Sequence, residues 1–357
     1  MTFHLQLFPY FAAMKKYWLQ IIILVALLLA AGAALYRYVL RPAPDFEKEL
    51  AIEDTRRVNK ITIENYEQKR LLLEKINGVW RVNGRYEARP ELIQMILTTL
   101  QRQRVLAPVP RSAHDNVMRE MMAKYIKVTV SEEGSMKPVK VFYVGGATTD
   151  NKASYMLLEK DGKPAERPVM VYLPSHSGYL TPIYADLDEE RWRNRIVLSF
   201  TSSALQSLEV NYVQEPQNSF RIVRVAADSF VLHPLQEPYR LQDNYVQRYI
   251  HQYLDFYNSV SVETFDNANK AKDTIINGTP YCLITARLTD GTTQHVRLHY
   301  MPINERSQTL TDKYGMPLKY DAEHYYAVLN DGKDLAIVQY YVFGKLLRSY
   351  RDFFYKP

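Results

Sequence analysis

Apolar residues recur along this chain in three ways, and each predicts a different element. From Leu19 to Tyr36 there is no alternation: LQIIILVALLLAAGAALY is a continuous apolar run whose only strongly polar residue is Gln20. A helix needs about 20 such residues to cross a bilayer, and inside lipid only a helix satisfies its own backbone groups. Tyr17 and Trp18 precede the run, and Tyr36 and Tyr38 end it, where amphipathic rings favour the headgroup level. The run predicts one transmembrane helix.

Past Arg41-Pro42-Ala43-Pro44, a spacer whose prolines block helix continuation, the apolar positions switch to period two. Lys60–Glu64, Arg70–Lys75 and Val79–Val82 read as strands, with Asn77-Gly78 and Asn83-Gly84 as tight turns. The period then becomes helical. Pro90 stands at a first helical position, with Leu92, Ile93, Ile96, Leu97 and Leu100 on one face. A second helix is expected after Ser112 as N-cap, with Val117, Met118, Met121, Met122 and Tyr125 on one face. Strands follow at Ile126–Val130, Val139–Val144, Ser154–Glu159 and Val169–Leu173. Residues 175–194 form a connector, with helical turns expected in Leu187–Arg193.

The same succession then returns. Ser207–Val210 aligns with Lys60–Ile63 at an offset of 147 residues (208 − 61), and Phe220–Val225 and Ser229–Leu232 stand where the second and third strands stood. A helix over Tyr245–Tyr257, with Asp243 as cap, and strands at Ser261–Phe265, Tyr281–Leu288, Gln294–Tyr300, Tyr325–Leu329 and Leu335–Phe343 complete the second half. Leu346, Leu347, Tyr350, Phe353 and Phe354 form an amphipathic tail expected to dock on the body. The fold class is α+β: a single N-terminal transmembrane helix plus two tandem β-rich modules, each a β-β-β-α repeat. The expected boundaries are 1–18 cytoplasmic tail, 19–36 membrane helix, 37–59 juxtamembrane spacer, 60–180 first module, 181–206 connector and 207–357 second module.

Composition changes this picture little. The 45 Lys+Arg nearly balance 39 Asp+Glu, a net charge of +6 with no long basic run, so nucleic acid is not an expected partner. Cys282 is the only cysteine, which excludes an internal disulfide, a cysteine cluster and a lipobox after the apolar run. Ala31-Gly32-Ala33 mimics a signal-peptidase site, but the run continues to spanning length, which favours an uncleaved anchor. Lys15 and Lys16 before the run nearly tie with Arg37 and Arg41 after it. The short basic N-terminus places the tail inside and the long body outside. Met14-Lys15-Lys16 reads as a natural start.

Candidate chemistry is sparse. No phosphate loop, dinucleotide fingerprint, nucleophile elbow or zinc-protease motif occurs, and no cofactor is expected. His295 and His299, four apart in a strand, share a face, but Arg297 lies between them and they read as solvated residues. His114 and Asp115 fit a helix start. Ser175-His176-Ser177-Gly178 reads as a polar loop, and Asp186, Asp188, Glu189 and Glu190 as a helix N-terminus rather than a calcium loop. Asn277-Gly278-Thr279 reads as a turn. The densest basic region, Arg81, Arg85, Arg89, Arg102, Arg104 and Arg111, is either a solvated face or a contact for anionic lipid or cell-wall polymer. The stripe Tyr245, Tyr249 and Tyr253 is either core or a partner surface.

Several stretches resemble a known family: KITIENYEQKRLLLEKINGVWRVNGRYEARPELIQMILTTLQRQRV, PVPRSAHDNV, VFYVGGATTDNKASYMLLE, GYLTPIYADLDEERWRNR and LEVNYVQEPQNSFRI. They are similar to a membrane-anchored bacterial domain family of unknown function, found mainly in the Bacteroidota group of Gram-negative bacteria. Relatives of that domain also occur beside gliding-motility-type ABC transporter components. The likeness covers Asp54 to about Tyr341, and its most specific mark is the hairpin-to-helix unit Trp80, Asn83-Gly84 and Pro90. It implies an inner-membrane anchor and a periplasmic body, and supplies no catalytic residues.

The sequence therefore supports two expectations of function. The first is a non-enzymatic scaffold or adaptor, held in the inner membrane by Leu19–Tyr36, that docks another envelope protein. The second is a glycan- or lipid-binding module using the cleft between the two modules. A hydrolase with an unrecognised site ranks behind both.

Overall fold

Period-two alternation becomes sheet on both sides of the connector. The computed structural model describes residues 18, 21–32, 48–174, 176–236 and 244–354. The expectations placed on Tyr17, Tyr36, Tyr38, Lys15, Lys16, Arg37, Arg41, Ser175 and Asp243 lie outside them. Residues 21–32 are helical and exposed; among the described residues no helix is long and apolar enough to cross a membrane.

The first half supplies β1 (Val58–Asn65), β2 (Arg70–Ile76), β3 (Val79–Val82), β4 (Tyr86–Glu87), helix α1 (Pro90–Arg102), β5 (Arg104–Pro108), α2 (His114–Ala123), β6 (Ile126–Glu132), β7 (Lys140–Ala147), β8 (Ser154–Lys160), β9 (Lys163–Pro164), β10 (Val169–Tyr172), and the short helices α3 (Thr181–Ala185) and α4 (Glu189–Trp192). The sheet order is β4-β3-β2-β1-β6-β7-β8-β10-β5, with β9 on β8. The second half supplies β11 (Ile196–Leu198), β12 (Leu205–Tyr212), β13 (Phe220–Ala226), β14 (Ser229–Pro234), α5 (Gln247–Leu254), β15 (Val260–Ser261), β16 (Thr264–Phe265), α6 (Lys272–Asn277), β17 (Cys282–Leu288), β18 (Thr293–Pro302), β19 (Tyr320–Leu329), β20 (Asp334–Gln339) and α7 (Tyr340–Phe343). Its main sheet runs β14-β13-β12-β17-β18-β19-β20-β16, and β11 pairs β15 separately. The protein is thus strand-rich α+β with large antiparallel sheets.

The two orders run alike from β1 and from β12, except that β4 and β9 of the first have no counterpart in the second. Each begins with a three-stranded meander, crosses by a helix to the strand at the far edge, passes a second helix, and returns beside the first strand of the meander. Each also carries a register shift at the start of that pairing, at Val58/Lys60 and at Leu205/Ser207, positions 147 residues apart (205 − 58 and 207 − 60).

Contacts divide the chain into two compact units, residues 1–72 with 94–187 and residues 73–93 with 188–357. In the first, Ile61, Ile63, Val128, Val130 and Phe142 are buried from the sheet, and Ile96 and Leu100 from α1. Tyr184 packs edge-on against Phe142 and donates to Gln103 Oε1 at 2.8 Å, while Gln103 Nε2 donates to the Leu50 carbonyl at 2.6 Å. In the second, Leu208, Val210, Phe220, Ile222 and Ile284 meet Ile250, Tyr253 and Leu254 of α5, and the tail residues Leu346, Tyr350, Phe353 and Phe354 close the cluster.

Local expectations change at several points, and the strand expected over Ser261–Phe265 is two, β15 pairing β11 and β16 pairing β20. Ser112 does not cap α2: the helix starts at His114, and the preceding N–H groups of Ala113 and His114 already donate to Pro110 and Arg111 in a turn. The strand from Leu335 ends at Gln339, its last pairing being with His324; the chain then folds back through α7 so that Phe343 and Leu346 enter the core. The tail docks, but only Tyr350–Phe353 is helical, as one 3-10 turn whose Ser349–Asp352 capping box satisfies its start.

Candidate ligand-binding cleft

The fold-back at α7 opens a cleft of about 820 Å³ inside the second unit. One wall comes from the β18–β19 hairpin through Arg306, Glu323 and His324, and the other from α7 and the chain after it through Tyr340, Tyr341, Lys345 and Arg348. Glu263 and Thr264 border it at β16. Gly344 makes the fold-back feasible: a Cβ there would lie 2.6 Å from the Tyr340 carbonyl oxygen and 3.0 Å from its ring. The two tyrosines that begin this turn are exposed, Tyr340 at 50 % and Tyr341 at 78 %.

The polar groups fall into two sets. Asp321 is buried beneath the cleft and accepts from Ser307 Oγ at 2.5 Å, from the backbone N–H groups of Glu323 and His324 at 2.8 and 2.9 Å, and meets His324 Nδ1 at 3.1 Å. Burial opposes its charge, but these bonds outweigh it and hold the carboxyl below its usual range. The far nitrogen of His324 sits 3.3 Å from Glu263, and Glu323 accepts from Thr309 Oγ1 at 3.2 Å, so each carboxylate already has a partner. The cations do not. Among the described residues, Arg306, Lys345 and Arg348 pair with no carboxylate. Lys345 lies 5.0 Å from the centroid of Tyr341, and the Arg348 carbonyl accepts from Tyr212 at 2.8 Å, which fixes its backbone.

The sequence-predicted residues lie elsewhere. In the second unit, Arg81 donates to the Arg85 carbonyl at 3.3 Å, Arg85 grips Glu189 at 2.7 and 2.8 Å, and Arg89 reaches Glu91 at 3.3 Å. In the first, Arg104 donates to the carbonyls of Gln101 and Gln103, while Arg102 and Arg111 are exposed. The tyrosine stripe faces inward. Tyr253 is buried, shares a 2.7 Å bond with the Tyr257 hydroxyl and donates to the Leu346 carbonyl at 2.8 Å. Tyr245 meets Phe354 edge-on, and Tyr249 packs half-buried against the same core. Tyr253 is therefore core, not partner surface, because α5 spans the meander.

His295 meets Asp331 at 3.1 Å at the surface, but His299 is buried, which corrects its reading as solvated. Its Nε2 has no hydrogen-bond partner, and burial, then Arg297, lowers its pKa to about 4. His114 meets Asp115 and the Glu166 carbonyl, both at 2.9 Å, which raises its pKa. Asp188 caps α4 as a helix start does, accepting from Glu190 N–H. Cys282 is buried and its thiol is pushed up by desolvation. The cleft itself has one sequence signal, the adjacent Tyr340-Tyr341 followed closely by Gly344, which the strand-like apolar run before it hides.

No family model, curated protein or solved structure matches this chain.

Proposed function

We propose that this is a membrane-anchored envelope protein with a non-enzymatic binding body, and that the cleft of the second unit is its ligand site. The cleft carries the reading. Exposed aromatic rings beside cations that lack carboxylate partners are the chemistry of recognition surfaces, and here they converge on one concavity. The anchor is the Leu19–Tyr36 segment. Its support is the helix over residues 21–32, where Leu27, Leu28 and Leu29 are 62, 63 and 70 % exposed, a poor surface for water and a suitable one for lipid. The inner membrane, a periplasmic body, an origin of the two sheets by duplication, and membership of the Bacteroidota family described above belong to the same reading.

A photo-crosslinking residue placed at Tyr341 of the full-length protein in cells tests the site. It should capture a recurrent species that a control at Val225, exposed on β13, does not. Matching products from the two positions would remove the cleft as the site. For the anchor, the protein should stay with membranes in carbonate and leave them in detergent; release by carbonate would remove it.

A second reading, an adaptor that docks another envelope protein, has its own observation. The loop between β18 and β19 exposes Leu310, Tyr314 and Met316 at 54, 78 and 64 %. Crosslinking from Tyr314 should then yield a protein adduct, and none would form if the loop merely faces solvent.

A further inference from the structure

The lining chemistry narrows what the cleft accepts, and this inference rests on the cleft being the ligand site. From the geometry we infer that the second unit binds a short acidic glycan, an oligosaccharide bearing carboxylates. Three observations point there. Arg306, Lys345 and Arg348 reach the cleft from two walls without carboxylate partners, so they are available to a ligand's anionic groups. Tyr340 and Tyr341 present exposed rings, which suit the C–H faces of sugars, and Lys345 over the Tyr341 ring sets a cation beside that platform. Gln308, Gln339, Glu263 and Glu323 add acceptors and donors at the rim, which match hydroxyl groups spaced along a sugar chain.

The alternatives fit less well. A peptide added as a strand needs a run of free main chain along a sheet edge; the edge strand bordering the cleft, β16, is only Thr264–Phe265. A lipid tail needs a continuous apolar lining, whereas the aliphatic wall is limited to Met301, Ala322 and Ile337. The carboxylates do not reverse the sign of the site: Glu263 and Glu323 stand against the three cations Arg306, Lys345 and Arg348, and Glu263 also faces His324.

The test is calorimetric titration of the detergent-solubilised full-length protein. The probes are oligogalacturonate, oligomannuronate and hyaluronan fragments, their carboxyl-reduced counterparts, and a hexaglutamate peptide. At least one acidic glycan should bind, its reduced form about tenfold or more weaker, and raising salt from about 50 to about 300 mM should weaken it further. The Arg306→Gln/Arg348→Gln double variant should lose about tenfold, and Tyr341→Ala should lose affinity for the acidic and the reduced forms alike. All these side chains are exposed, and an unchanged thermal midpoint confirms that the variants fold. Binding of none of the three acidic glycans, equal binding of the reduced forms, or equal binding of hexaglutamate overturns the inference. Crosslinking at Tyr341 separates the two levels. A captured species with no acidic-glycan binding leaves the cleft standing and removes the glycan, while failure of both removes the ligand site altogether.

Discussion

Arg193 lies between two rings, 3.8 Å from the centroids of Tyr86 and Phe265, and both its terminal nitrogens reach Asp334, at 2.9 and 2.7 Å. Burial alone would push the Asp334 carboxyl up. Hydrogen bonds from Arg193, Asn330 and Asn267 overcome it and hold the pKa at about 2. A buried pair is costly to break from one side because it leaves an unpaired charge. Asp334→Ala should lower stability by about 3–5 kcal/mol in denaturant unfolding, and Arg193→Lys should also destabilise, since an ammonium cannot make the fork or the double stack. Loss below about 1 kcal/mol for Asp334→Ala would show that the pair is not closed to water. His299 supplies the pH dependence. In the unfolded chain it takes a proton below about 6.5, in the fold only below about 4. Between those values the unfolded chain holds more protons, so stability falls as pH drops through that window, by ~3 kcal/mol in all. His299→Leu should flatten that slope and leave stability near neutral pH within ~1 kcal/mol or higher, because an unpartnered buried nitrogen is removed. An unchanged slope in the variant would assign the titration to other groups.

Elements set by local chemistry were legible, and those set by distant partners were not. Asn77-Gly78 and Asn83-Gly84 adopt φ of 50 and 84° and of 49 and 70°, the left-handed pairs that a two-residue turn requires, so the meander could be read directly. Pro90 opens α1 for an equally local reason. The fold-back after Gln339 had no such signal. Its continuous apolar run, Leu335 to Val338, suits a buried strand, and what stops it is the end of pairing with β19. The same limit explains His299. Helix α6 was not anticipated, and its end covers the outer side of β18, where a Cβ on Gly278 would lie 4.0 Å from His299 Nδ1. The cleft inherits this difficulty, since its cations come from segments apart in sequence and joined only by the fold-back. Two predictions belong here. Gly344→Ala should displace the Tyr340–Tyr341 turn, and crosslinking from Tyr341 should change while far-UV circular dichroism does not; identical crosslinks would mean the turn absorbs the methyl group. The tail is an element of the core: Phe353 meets Phe220 at 4.9 Å and Tyr253 at 5.3 Å between centroids. Phe353→Ala should cost about 3–5 kcal/mol of unfolding stability, and a loss under ~1 kcal/mol would mean that the tail is peripheral.

At the scale of the molecule, the strand-rich α+β character was visible because apolar positions switch between period two and helical spacing within each half. Which residues share a core was not, because contact units need not follow chain order. Residues 73–93 lie within the first half of the chain and count with the second unit. Their bonds within that unit are specific. Arg85 pairs with Glu189, Asn83 Nδ2 donates to Glu189, Asn194 Nδ2 donates to Glu87 at 3.0 Å, and Arg89 N–H donates to the Trp192 carbonyl at 2.7 Å. Tyr86 supplies one of the two rings that enclose the Arg193 guanidinium. A fragment cut at 187/188 thus keeps Asp334 but loses the ring and the hydrogen bonds that shield its partner from water. Water then reaches the Arg193–Asp334 pair, which weakens an attraction that depends on a low local dielectric. Fragment 188–357 should therefore melt at a lower temperature than the second unit does within the full chain. Arg193→Met/Asp334→Leu should narrow that gap, since an apolar pair does not depend on being shielded by Tyr86. A fragment as stable as the intact chain would mean that residues 73–93 add nothing to that unit, and that the halves separate where the sequence repeats.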